Sequence, residues 1–168
     1  MNGKLDQIRE CMAEYLTGQG LKAVTAWPDT ERGSWWNGPV AAVSIRECRA
    51  AGSGFADYLG ERYDENSGRW QELYGKRLEL RLGLDLYAAG EKAAEQIQTA
   101  FDRLARALHN GGPDGVKIKE FSCGETGYDK EKRLFRRAVE AECTAYLYAV
   151  AEEGGAFLDF EIKGEWSK

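Results

Sequence analysis

The 168 residues include 23 basic and 28 acidic side chains, a formal net charge of −5, and 43% hydrophobic positions. That is enough apolar material for one well-filled core, and too little chain for two ordinary domains. The acidic balance speaks against sequence-specific nucleic acid as a partner, because phosphate binding needs a clustered positive field. There is no apolar run of about twenty residues and the Met1-Asn2-Gly3-Lys4 start is polar, so neither a membrane partner nor a signal core is expected.

In chain order, Leu5, Ile8, Met12, Tyr15 and Leu16 recur at helical spacing among charged residues, predicting an amphipathic helix that ends near Gly18 and Gly20. Residues 21–27 read as a short strand stopped by Pro28, and residues 40–46 as a second strand entered from Pro39. Gly52, Ser53 and Gly54 mark a flexible connection over 50–58, and Asp64-Glu65-Asn66-Ser67-Gly68 a polar loop between aromatic-flanked segments.

The clearest signal follows. Leucine occupies every second position from Leu78 to Leu86, with Glu79, Arg81, Gly83 and Asp85 between. Side chains alternate across a strand, so this period of two predicts a strand with one dry and one wet face. After Ala89 and Gly90, the residues Ala93, Ile97, Ala100, Phe101, Leu104 and Leu108 mark one face of a second helix, stopped by Asn110-Gly111-Gly112-Pro113. Val116, Ile118 and Phe121 suggest a short strand, residues 139–149 a second long alternating strand, and Leu158, Phe160 and Ile162 a last one. The expected fold class is therefore α+β: a single domain over 1–168, mainly an antiparallel twisted sheet with two amphipathic helices packed on its leucine face.

Signals for chemistry are weak. Cys11, Cys48, Cys123 and Cys143 form no metal-ligand spacing and are expected to be buried small side chains. His109 and Cys123 are the one Cys/His pair near in sequence, but a histidine in a last helical turn is explained by the helix dipole. Asp64, Asn66 and Gly68 only superficially suggest a calcium loop, since the remaining ligands are missing. The basic cluster Lys130, Lys132, Arg133, Arg136 and Arg137 is interrupted by Glu131 and reads as a solvated surface. Neither a catalytic set, a cofactor nor a metal is expected. Candidate contact residues are the loop tryptophans Trp35 and Trp36, the residues Arg69, Trp70, Arg77, Glu79, Arg81 and Asp85 of the wet face and its approach, and Tyr146 and Tyr148 on the polar side of their strand.

The order of elements, with the phrases Asp57-Tyr58-Leu59-Gly60-Glu61-Arg62-Tyr63, Cys123-Gly124-Glu125-Thr126 and Phe157-Leu158-Asp159-Phe160, resembles small structural proteins of prophages and phage-tail-like particles of Gram-positive bacteria, nearest in outline to the tail terminator, or tail-completion, group. The resemblance runs over most of the chain. It implies an α+β subunit that joins copies of itself in a ring, a hexamer, capping the tail tube, with tube and neck or sheath proteins as further partners. It also implies a location in the bacterial cytoplasm during assembly and then in the virion or tail-like particle. The alternative expectation is a small cytosolic α+β enzyme or ligand-binding domain with a pocket near Trp35, Trp36 and Cys123.

If the leucine row is the core face, a charge placed on it has nowhere to be solvated. Leu82→Asp is expected to unfold the domain, read as loss of the cooperative thermal transition in circular dichroism; a folded, soluble variant would refute the register.

Overall fold

The structure, a computed structural model, describes residues 4–25, 38–52, 58–131, 133–151 and 157–163. Helix α1 (Lys4–Gly18) precedes strands β1 (Ala23–Val24), β2 (Val40–Gly52), β3 (Tyr58–Asp64) and β4 (Arg69–Ala88). Helix α2 (Ala93–His109) is followed by β5 (Lys117–Asp129), β6 (Leu134–Ala151) and β7 (Phe157–Lys163). All seven strands belong to one sheet in the order β1-β2-β4-β6-β5, with β3 also on β4 and β7 also on β6. Among the described residues only the β1–β2 pairing is parallel, so the sheet is mainly antiparallel, as the short connections require.

The two central strands are long, and each is flanked by two shorter strands laid end to end. β2 pairs β4 from Val40↔Tyr87 to Gly52↔Lys76, and β3 takes over from Tyr58↔Tyr74 to Asp64↔Arg69. Leu73 and Tyr74 are already paired with β6 on the other side, so β3 continues the lane of β2. In the same way β5 pairs β6 from Asp129↔Leu134 to Lys117↔Thr144, and β7 continues from Tyr146↔Lys163.

Leu78, Leu80, Leu82, Leu84 and Leu86 are all buried, in one cluster with Ile8, Met12 and Leu16 of α1 and Ile97, Ala100 and Leu104 of α2. Both helices therefore cover the leucine face. Burying each leucine contributes about 1.5–3 kcal/mol, which makes this row a large contributor to stability. Tyr15 Oη donates to the Ala107 carbonyl at 2.6 Å and Arg103 Nη1 to the Gly20 carbonyl at 3.0 Å, tying the helices to each other. Within α2, Arg106 and His109 stand in the last turn, where positive charge meets the carbonyl end of the dipole.

Several elements differ from the sequence reading. The strand expected over 40–46 runs on to Gly52, the leucine strand starts nine residues earlier at Arg69, and the strand expected near Val116 to Phe121 reaches Asp129. Of the strand expected over 21–27, only Ala23 and Val24 are strand among the described residues 21–25, and 26 and 27 lie outside the described residues. Along β4 the buried side also changes over. Gln71 and Leu73, from the positions alternate to the leucine row, are the buried ones near its start, while Trp70 and Glu72 are exposed.

Candidate interaction surface

The wet side of the sheet carries ion pairs within and between strands. Arg81 meets Glu47 at 3.2 Å, Arg77 and Lys119 both reach Glu79 at 2.9 and 3.1 Å, and a shallow depression of about 390 Å³ lies among Glu47, Arg49, Glu79, Arg81, Lys119 and Glu142. Three carboxylates thus face three bases, and the patch is neutral within the chain. Exposed pairs of this kind contribute about 0–1 kcal/mol each, so they set solubility and pairing register more than stability.

One member is different. Asp85 was expected on the exposed face, yet it is only 8% exposed, and that expectation is corrected by the company it keeps. Arg46 Nη2 donates to both its oxygens at 2.6 and 2.8 Å, Arg136 Nη2 donates at 2.8 Å, and the Val139 amide at 3.2 Å. Arg46 also donates from Nη1 to Glu140 at 2.8 Å. Arg46 reaches across because it is the extra residue of a bulge between Ile45 and Glu47, which turns it over the neighbouring strand. The strand beneath it is Gly83. A Cβ there would lie 2.5 Å from Ser44 Oγ and 2.9 Å from Arg46 Nε, so glycine is what lets the guanidinium lie flat against β4.

The remaining contact candidates are spread along the sheet. Arg69, Arg77 and Arg81 are exposed, Glu79 and Tyr146 are half-buried, and the backbone of Tyr148 pairs with Gly75 and Glu161. Trp35 and Trp36 lie outside the described residues. Trp70 is 62% exposed and stacks edge-on against Tyr63, itself 52% exposed, at 5.5 Å between ring centroids; register makes them direct cross-strand partners. This pair flanks the β3–β4 turn, where the Asn66 amide bonds the Asp64 carboxylate at 3.2 Å and the Gly68 amide the Asp64 carbonyl at 2.8 Å. Gly68 has φ +67°, the left-handed conformer that closes the hairpin. A hydrogen bond from Ser67, aided by backbone amides, holds the Asp64 carboxyl below its ordinary range. Asp64, Asn66 and Gly68 thus form a hairpin turn, as their sequence suggested over a calcium loop.

The Cys/His pair is not brought together. Phe101 of α2 touches Phe121 of β5 at 6.5 Å between centroids, and His109 lies about 12 Å further along the helix axis from Phe101. No hydrogen bond joins His109 to Cys123 among the described residues. Cys11, Cys48 and Cys123 are exposed, against the expectation of burial, and only Cys143 is buried. Burial, with Glu142 beside it, pushes the Cys143 thiol up to about 12, so it stays protonated at neutral pH and serves as packing. Among the described residues no group of three or more metal-ligating side chains converges, and no helix is long and apolar enough to cross a membrane.

No protein-family model and no curated protein matches this chain.

The contact of Gly83 with Arg46 makes a coupled prediction. Gly83→Ala should cost about 1–3 kcal/mol by forcing the guanidinium off Asp85. In an Arg46→Ala background the same change should cost less, with a coupling of about 1 kcal/mol or more in urea unfolding. Additive losses would mean that Arg46 does not depend on the bare strand at Gly83.

Proposed function

We propose that this chain is a structural assembly protein of a phage tail or phage-tail-like particle, a tail terminator that joins copies of itself in a ring at the end of the tail tube. The observation that carries this reading is the half of the sheet that the helices do not cover. β4 has 20 residues and spans about 66 Å, whereas α1 and α2 have 15 and 17 and span about 22 and 26 Å. Residues 69–77, with β3 on one side and the end of β6 on the other, therefore form an arm outside the helix-covered core. The arm ends in Tyr63 and Trp70, large aromatics of the kind that anchor protein interfaces. A sheet extended past its own core suits a subunit that reaches a neighbour.

The ring reading agrees with the family resemblance of the α+β outline and of the 57–63 and 123–126 phrases. Its partners are further copies of the chain, then the tube protein and a neck or sheath protein. Its place is the bacterial cytoplasm during assembly and the finished particle afterwards.

Light scattering over a concentration series should show the mass rising from one chain to a discrete closed oligomer, and pelleting with assembled tube protein should recover that oligomer at tube ends. A chain that stays monomeric at high concentration, with or without tube protein, would overturn the reading.

A further inference from the structure

The arm is a four-stranded piece of sheet with an edge strand on each side. β3 pairs β4, β4 pairs β6 and β6 pairs β7, and among the described residues β3 and β7 pair with no other strand. All three pairings are antiparallel, so β3 and β7 run in opposite directions. Each has seven residues. The outward N–H and C=O groups of an edge strand form a template for another strand. Elsewhere the margins of the sheet are blunted: β1 stands on β2 at Ala41 and Ala42, β2 is bulged between Ile45 and Glu47, and β5 is bulged twice. β3 and β7 carry one bulge each, near their first residues, and 60–64 and 160–163 are regular.

We propose that β7 of one copy pairs antiparallel with β3 of the next, so that the sheet runs on from chain to chain. The occupant of each edge is a second copy because the two edges complement one another, being equal in length, opposite in direction and on opposite sides of the arm.

The register follows from the faces. Side chains directly across a ladder share a face, so the leucine side of one copy continues as the leucine side of the next. Residues 60–64 of β3 lie level with 69–73 of β4, and 160–163 of β7, through 146–149 of β6, lie level with 74–77. A step of about four residues along the strands keeps the faces matched and overlaps the regular stretches most fully. It sets Gly60, Glu61, Arg62 and Tyr63 of one copy against Lys163, Ile162, Glu161 and Phe160 of its neighbour, with Asp64 beside the β7 bulge. The arm is about 19 Å wide and the step about 14 Å, a strand tilt of about 35°, which is that of sheets that close on themselves. Each copy supplies an even number of alternating strands, so a closed ring needs no parallel join. This inference rests on the self-assembly reading above and says which edges carry it.

Disulfide trapping tests it. β3 and β7 of one chain are three strand spacings apart, about 14 Å, beyond the roughly 7 Å that a disulfide spans between Cα atoms, so a bond between them joins two chains. In the full chain with the exposed Cys11, Cys48 and Cys123 replaced by serine, Glu61→Cys/Ile162→Cys should oxidise to a ladder of covalent oligomers that ends at the size of the wild-type assembly. Glu61→Cys/Phe160→Cys, whose thiols stand one diagonal step apart, should cross-link about tenfold more slowly. Reduced, both should melt close to wild type. Amide exchange of unmodified protein decides the matter even if a variant fails to fold: on assembly, 60–64 and 160–163 should both gain protection. If wild type assembles but only one edge or neither gains protection, or the two cysteine pairs cross-link equally, the edge contact is overturned while self-assembly stands. If wild type never assembles, the ring reading fails, and this contact with it.

Discussion

The structure depends on a mismatch of lengths. The central strand is about 66 Å long, and neither helix, of 15 and 17 residues, spans more than about 26 Å. One half of the sheet is therefore a conventional core, with five leucines under two helices. The other half exposes Trp70 and Tyr63 on the leucine side and buries Gln71 and Leu73 on the opposite side. Residues 78–88 lie under the helices, whereas in residues 69–77 the buried side chains, Gln71 and Leu73, are on the other face of the strand and Trp70 is exposed.

The charged side of the sheet is organised by a local device. A bulge places Arg46 over the neighbouring strand, Gly83 leaves room for it, and Asp85 receives it together with Arg136 and the Val139 amide. Removing one partner from such a cluster costs more than the cluster itself contributes, because the remaining charges have already lost water. Beside it, Arg81 pairs with Glu47 of β2, and Arg77 and Lys119 of β5 pair with Glu79.

Much of the core was legible in the residues. The strict leucine alternation gave β4 its face, and the spacing of Ile97, Ala100, Leu104 and Leu108 gave α2 its buried stripe. The start of β4 was not, because the buried row changes sides between Leu73 and Leu78 and the alternation lapses there. β5 was underestimated for a related reason: nearly every residue from Lys117 to Asp129 is exposed or half-buried, so no dry row marks its length. The burial of Asp85 needed Arg46 and Arg136, which are 39 and 51 positions away and carry no local signal toward it. The exposure of Cys11, Cys48 and Cys123 was missed because composition alone ranks cysteine as a buried residue. Trp35 and Trp36, weighed as an anchor, lie outside the described residues.

The division of β4 into a core half and a contact half is tested most directly by amide hydrogen exchange along that strand, in dilute and in concentrated protein. In dilute protein the amides of 78–88 should exchange only through global unfolding, and those of 69–77 faster, through local opening. In concentrated protein the 69–77 segment should gain protection while 78–88 is unchanged. Equal protection of both halves at every concentration would contradict the account.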